Sequence, residues 1–382
     1  MSVSKLKRMA ALCMLALGVP AGLAAAEPVV VADEVRTQYQ KIRVTLLAEG
    51  LERPWGVAFL PDGGFLVTER PGRLQLVRDG RKTEVSGLPE IAAIRQGGLL
   101  DVSLHPDFTE NRWVYLSYSK GGPEGTATTL GRGRLEGDRL VDFAEVFTQD
   151  RLSGPGRHYG SRIAWLPDGT LLLSIGDRGS DPPRAQDPMD HAGKLLRLNA
   201  DGTVPADNPF VGRDDVYPEI WSLGHRNIQG LVVDRAGDVV WATEHGPRGG
   251  DELNRIEPGK NYGWPIVSKA REYRTEEQYG EARSRPGYVD PVYEFLPTLA
   301  PSGLALVTSD RFPAWRGNLL AGGLAAERIR RVVLENGEVV HEEELLLGLV
   351  GRIRDVREGP DGLVYVLTDV AEGGLYRIEP VD

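Results

Sequence analysis

Apolar and polar positions along this chain alternate in short runs, not in helical stripes. The stretch WGVAFLPDGGFLVTERPGRLQLV, beginning at Trp55, sets the pattern: a strand-like run, the turn chemistry of Pro61-Asp62-Gly63, a second run, a second turn and a third run. Runs rich in β-branched and aromatic residues, bounded by Pro, Asp and Gly, predict strands joined by tight turns. The phrase recurs as LLDVSLHPDFTENRWVYLSYS from Leu99, SRIAWLPDGTLLLSIGDRG from Ser161, QGLVVDRAGDVVWATEHG from Gln229, SGLALVTSDRFPAWRGNLLAGGL from Ser302 and IRDVREGPDGLVYVLTD from Ile353. Six such units, spaced by roughly 45 to 70 residues, fit four-stranded blades with unequal loops. Few segments show sustained helical periodicity, so the pattern predicts an all-β, six-bladed β-propeller formed as one domain by residues 41–382.

The ends of the chain refine this expectation. The last unit supplies strands near Asp355, Val364 and Leu375 but no fourth, while KIRVTLLA from Lys41 has no unit of its own. Pairing of this N-terminal strand with the C-terminal blade would close the ring and leave no strand edge open. Residues 27–40 read as a loosely tethered leader. The charged insert from Lys269 to Asp290 reads as a loop.

Lys5, Lys7 and Arg8, an apolar run from Met9 to about Leu17, and Ala24-Ala25-Ala26 form the three parts of a secretory signal peptide over residues 1–26. Cleavage after Ala26 implies a periplasmic or secreted protein without stable membrane insertion. Cys13, the single cysteine, lies inside this segment, so the mature chain has no thiol for a disulfide, a zinc-thiolate site or a nucleophile. The formal charge is −10, and loss of the three basic signal residues makes it −13. A field of that sign excludes nucleic acid as a partner and requires any anionic ligand to meet a local arginine cluster.

Such clusters exist. Unusual polar residues fall just before the first strand of a unit or after its second: Gln96 in RQGGLLD, His158 and Arg162 in RHYGSR, Asp177 in IGDRG, Arg226, Asn227 and Gln229 in GHRNIQG, the loop EHGPRGGDELN, and Arg352 and Arg354 in GRIRDV. In a propeller these connections converge on one end of the central channel. Arg352 and Arg354, two residues apart on a strand, share a face. Together with Arg226 they would make a cationic pocket for a small ligand carrying carboxylates or phosphates. The remaining histidines show no metal-ligand spacing. No GxSxG, HExxH, Walker or GxGxxG motif is present, which removes the usual warrants for serine hydrolases, zinc proteases, nucleotide hydrolases and Rossmann dehydrogenases.

The ordered phrases PWGVAFLPDG, QGGLLDVSLHPDF, HYGSRIAWLPDG, IGDRG, GHRNIQG, EHGPRGGDELN, NYGWP, APSGLAL and RIRDVREGPDG resemble the soluble quinoprotein aldose sugar dehydrogenases over roughly Ile42 to Pro380. The resemblance implies pyrroloquinoline quinone (PQQ) and calcium held over the channel, and oxidation of an aldose at its anomeric carbon to a lactone. By similarity His158 is the general base, Arg226 lies beside the quinone, and Asp177 orients His158 or contacts sugar. Gln96, Asn227, Gln229, Arg352 and Arg354 match cofactor-contacting positions. The carbonyls of Gly246 and Pro247 match those holding the cofactor's calcium, and Glu252 with the Tyr262 carbonyl matches part of a structural calcium site. One departure is Ala325, which stands where relatives carry a lysine toward the quinone; Arg328 is a candidate substitute. Two other readings remain open: a calcium-dependent propeller lactonase or esterase, and a non-catalytic secreted binding propeller.

Overall fold

In every repeat the first apolar run forms an innermost strand, and the six innermost strands surround one axis. They are Pro54–Phe59, Leu99–Leu104, Ile163–Trp165, Ile228–Asp234, Pro301–Leu306 and Ile353–Glu358. Each opens an antiparallel blade whose later strands pair outward in chain order. The computed structural model describes residues 27–236 and 238–381. The signal-peptide expectation for residues 1–26 lies outside these residues.

The second strands, such as Leu171–Ile175 and Leu319–Gly323, are buried along their whole length because a blade packs on each face. That is why they read as unbroken apolar runs and not as alternating ones. Apolar seams join consecutive blades: Leu66 and Leu74 meet Val102 and Leu116, and Tyr115 and Leu130 meet Leu171 and Leu173. Leu172 and Leu195 meet Leu231 and Val240, and Trp241 and Leu253 meet Leu304 and Leu319. A last seam runs from Leu320 through Ile353 and Val366 to Val57 and Val67, joining the fifth, sixth and first blades.

The ring closes as the sequence predicts. Lys41–Leu51 pairs antiparallel with Gly373–Val381, with Val44 opposite Ile378. Residues 27–40 depart from the expected loose leader, because Val29–Arg36 forms a fifth strand on the outer edge, with Val35 opposite Ile42. The β-branched run Val29-Val30-Val31 suits a strand, and pairing covers the edge that the closing strand would otherwise present. Lys41–Glu34 at 2.9 Å and Arg43–Asp33 at 2.7 Å flank the pairing. Residues 269–290 form a loop as expected, held by isolated bridges such as Arg271 with Gln278.

Two details of the innermost strands position the site. A glycine near the start of several of them allows the next blade to approach: a Cβ on Gly56 would lie 2.7 Å from Asp101 Oδ1, and one on Gly303 would lie 2.2 Å from Asp355 Oδ1. The glycines of the recurring WGV and SGL phrases are therefore packing requirements between blades. Register breaks also interrupt these strands, at Ile228/Gly230 and Ile353/Asp355 among others, leaving Gln229 and Arg354 outside the ladder pairs. Bulges re-aim side chains, and both of these residues face the cavity described below.

The closing strand, not the outer one, should carry stability. Ile42→Ala, at a fully buried position, is expected to cost about 2–4 kcal/mol in urea denaturation, whereas Val31→Ala, 40% exposed, should stay within about 0.5 kcal/mol. Equal costs would contradict this division.

Candidate active site

A cavity of about 290 Å³ opens at the end of the channel where the innermost strands begin. Four arginines (Arg70, Arg226, Arg352 and Arg354) line it, and among the described residues Asp369 is the only carboxylate in the lining. His158, Gln96, Asn227 and Gln229 share the wall, so the structure brings together all of these sequence-predicted residues. Asp177 sits behind His158.

The loop carrying His158 is held in a left-handed conformation at three residues, His158 at φ 52°, Gly160 at φ 64° and Ser161 at φ 79°. Non-glycine residues in this region require support from their surroundings. Gln96 Oε1 accepts from the His158 amide at 2.9 Å, and Asn227 Oδ1 accepts from that of Gly160 at 3.0 Å. Arg178 donates through Nη1 to the carbonyls of Arg157 and His158, both at 2.9 Å, while its guanidinium lies 3.7 Å from the centre of the Tyr159 ring.

His158 Nδ1 donates to Asp177 Oδ1 at 2.6 Å, which leaves Nε2 of the neutral ring as an acceptor. The other carboxylate oxygen accepts from Trp264 Nε1 at 2.8 Å. Burial pushes the His158 imidazole below the ordinary 6.5, against the opposing hydrogen bond and charge of Asp177. For Asp177, burial acts upward, but the hydrogen bond and charge of His158, with Arg226, outweigh it and hold the carboxyl below its ordinary range. The pair is thus a neutral imidazole fixed by an ionised carboxylate, the arrangement a general base requires.

The arginines are placed differently. Arg354 Nη2 and Arg352 Nη2 share Asp369 Oδ2 at 2.9 and 3.2 Å, in place of the neighbouring acids Asp355 and Glu358. Arg354 is buried, its Nη1 donates to Gln229 Oε1 at 3.3 Å, and its Nε has no hydrogen-bond partner. Gln229 spends its own amide donor on the Gly160 carbonyl, so it braces Arg354 and the His158 loop together. Arg226 donates to the His245 carbonyl at 3.1 Å and lies 5.3 Å from the centre of the Trp264 ring.

Arg162 does not reach this cavity. Its guanidinium lies in the channel beneath Trp55, ion-paired with Asp355 at 2.9 Å. Arg328 faces outward to Glu344 and the Ala326 carbonyl and does not line the wall, so it does not replace the cation missing at Ala325. His245, to which the sequence assigns no chemistry, lines the cavity; burial holds it down to about 4, and its Nε2 donates to the Pro301 carbonyl. Trp264 and Arg178 were present in the quoted phrases NYGWP and IGDRG, but their roles required knowing what faces them.

The expected metal positions lie outside the lining. Gly246 donates its amide to Asp251 Oδ1 at 3.0 Å, in a tight turn just after His245. Glu252 stands beside Glu244 and opposite Glu294, and Asn254 Nδ2 bridges Glu244 at 3.0 Å and Glu252 at 3.4 Å. Burial and the Glu244 charge hold Glu252 well above its ordinary value. The Tyr262 ring stacks on His225 4.7 Å away, and His225 in turn contacts Glu244. Among the described residues no group of three His, Asp or Glu side chains converges as a metal site.

Residues 51–377 match the family described as glucose/sorbosone dehydrogenase. The aldose sugar dehydrogenase YliI of Escherichia coli is 40% identical, over 89% of this chain and 93% of the relative. The apo structure of the soluble aldose sugar dehydrogenase from Escherichia coli superposes with a TM-score of 0.86 at 39% identity, covering 89% of this chain and all of that one. A PQQ-bound aldose sugar dehydrogenase from Streptomyces coelicolor superposes with a TM-score of 0.73 at 30% identity, covering 90% and 99% of the two chains.

Since burial lowers His158 and Asp177 raises it, NMR titration should place His158 below 6.5, and Asp177→Asn should move it lower still. A His158 that titrates above 6.5 in the wild type, or rises in the variant, would contradict this electrostatic arrangement.

Proposed function

The chain belongs to the glucose/sorbosone dehydrogenase family, and from that premise we propose that it oxidises the anomeric carbon of aldose sugars to lactones with PQQ as electron acceptor and His158 as general base. The observation that carries this reading is the charge of the cavity: four arginines face one carboxylate that is already shared between two of them. A hydrolytic calcium site would want carboxylates converging on the metal, whereas this wall wants an anionic ligand.

The donors fit PQQ. Arg352 and Arg354, with the unpartnered Nε of Arg354, would hold its carboxylates. Gln96 and Asn227 use their amide oxygens on the His158 loop, which leaves their NH2 groups for carbonyl oxygens. Arg226 would serve an oxygen on the side nearer His158. When bound, PQQ supplies a quinone able to accept the hydride of the anomeric carbon. His158 Nε2 takes the proton of the anomeric hydroxyl, and Asp177 fixes the ring and stabilises the imidazolium that forms. Gly246 and Pro247 would offer carbonyl oxygens to the cofactor's calcium, and Glu252 with the Tyr262 carbonyl would serve a structural calcium. The basic, apolar and small-residue pattern of residues 1–26 supports export to the periplasm.

Metal-stripped protein titrated with PQQ and calcium should show saturable, calcium-dependent reduction of a dye across a panel of aldoses. His158→Ala should lower kcat by roughly 10²–10⁴-fold while leaving PQQ affinity largely intact. Normal turnover in that variant would remove the proposed base. The acid limb of kcat should fall below 6.5, because activity rises as the depressed His158 loses its proton.

Glu252 gives a separate metal test. Its folded-state value lies above the unfolded 4.5, so ionising it costs stability as the pH climbs through the window above 4.5. Calcium should reverse that loss and raise the Tm near neutral pH, whereas Glu252→Gln should flatten both the pH dependence and the calcium response. A full calcium response in Glu252→Gln would place the structural ion elsewhere.

A further inference from the structure

Arg70 was not among the residues singled out by sequence. It follows the strand Phe65–Glu69, and its backbone is pinned on both sides: its amide donates to the Arg53 carbonyl at 3.1 Å and its carbonyl accepts from Leu99 at 3.2 Å. The stem of the side chain lies across Gly98. A Cβ there would fall 2.7 Å from Arg70 Cγ and 1.8 Å from its carbonyl oxygen, and Gly98 adopts φ +147°. Gly98 therefore makes room for this side chain to lie against the cavity wall, which Gln96 also lines.

The other three lining arginines each have a side-chain partner: Arg226 on the His245 carbonyl, Arg352 on Asp369 and the Leu324 carbonyl, and Arg354 on Asp369 and Gln229. Among the described residues Arg70 makes no side-chain hydrogen bond and no ion pair, although it is half-buried. Asp369, the carboxylate whose charge it senses, is already held by Arg352 and Arg354. Burial, together with the nearby Arg53 and Arg352, pulls the guanidinium below its ordinary value. A half-buried guanidinium whose nearest carboxylate is already engaged by two other arginines is left with its hydrogen-bond donors for a ligand to meet.

We propose that Arg70 is a cofactor-binding residue that pairs with a carboxylate of the bound quinone and works with Arg352 and Arg354 as a third cation on that side of the cavity. The assignment rests on the PQQ reading above. It makes Arg70 a ligand residue whose benefit appears only in the complex.

The test compares the wild type, Arg70→Met, Arg70→Lys and Arg328→Met, using PQQ titration of the full chain followed by tryptophan fluorescence, and thermal unfolding without PQQ. Loss of a charge-assisted contact should weaken PQQ binding in Arg70→Met by roughly tenfold or more. It should also flatten the dependence of affinity on salt. The Tm of the PQQ-free variant should stay equal to the wild type or rise, Arg70→Lys should recover part of the affinity, and Arg328→Met should bind as the wild type does. Wild-type affinity in Arg70→Met overturns the assignment alone. A wild type that takes up no PQQ overturns both the assignment and the quinone reading. A lowered Tm in PQQ-free Arg70→Met, with no recovery of affinity in Arg70→Lys, makes Arg70 a structural brace and likewise overturns it.

Discussion

The ring is organised around a buried lattice of two arginines and two aspartates that fills the channel below the cavity. Arg162 contacts Asp355 at 2.9 Å and Asp101 at 3.6 Å, and Arg357 bridges the same pair at 2.9 and 2.5 Å. Arg162 also donates to the Gln229 carbonyl at 2.6 Å and the Arg354 carbonyl at 3.1 Å. Asp101 accepts from the Ile163 amide, and Gly56 and Gly303 stand against the two aspartates. The innermost strands of the first, second, third, fourth and sixth blades are thereby bonded to a single set of charges, and that of the fifth packs closely against Asp355 at Gly303. Removing one partner from a buried network of this kind typically costs about 3–5 kcal/mol, because the remaining charges lose their compensation.

The lattice is also the floor of the cavity. Trp55 separates the two levels, its ring centre lying 4.1 Å from the Arg162 guanidinium and 5.7 Å from that of Arg354. Gln229 accepts from Arg162 through its backbone and from Arg354 through its side chain, so the floor fixes the wall directly. The His158 loop rests on that wall through Gln229, Asn227 and Gln96. An acidic protein can present a cationic pocket because its channel charges are matched below while its cavity charges are left in excess above.

Repeat period, turn residues and the missing fourth strand of the last unit carried the architecture, including the pairing of Lys41–Leu51 with Gly373–Val381. The outer strand Val29–Arg36 was less legible, since most of its side chains are exposed and it reads as a strand only beside the edge it covers. Polar clusters at equivalent positions of different units brought His158, Arg226 and Arg354 together in advance, because propeller topology converts repeat position into spatial position. Arg162 was expected at the site and lies below it, and Arg70 was not singled out at all, for the same physical reason. Whether an arginine faces the channel, the cavity or solvent depends on bulges and on which carboxylates are already engaged, and neither is a property of local sequence. Asp369 shows this most directly, taking both Arg352 and Arg354 although Asp355 and Glu358 stand nearer to them in sequence.

The most direct measurement is a crystal structure of the protein grown with PQQ and calcium. The account predicts quinone density in the cavity above Trp55, with carboxylates against the Arg352 and Arg354 side and the reactive carbonyls toward His158 Nε2. Quinone bound elsewhere on the ring, or in the cavity with its carboxylates turned toward His158, would contradict the assignment of the arginines to binding and of the histidine to chemistry.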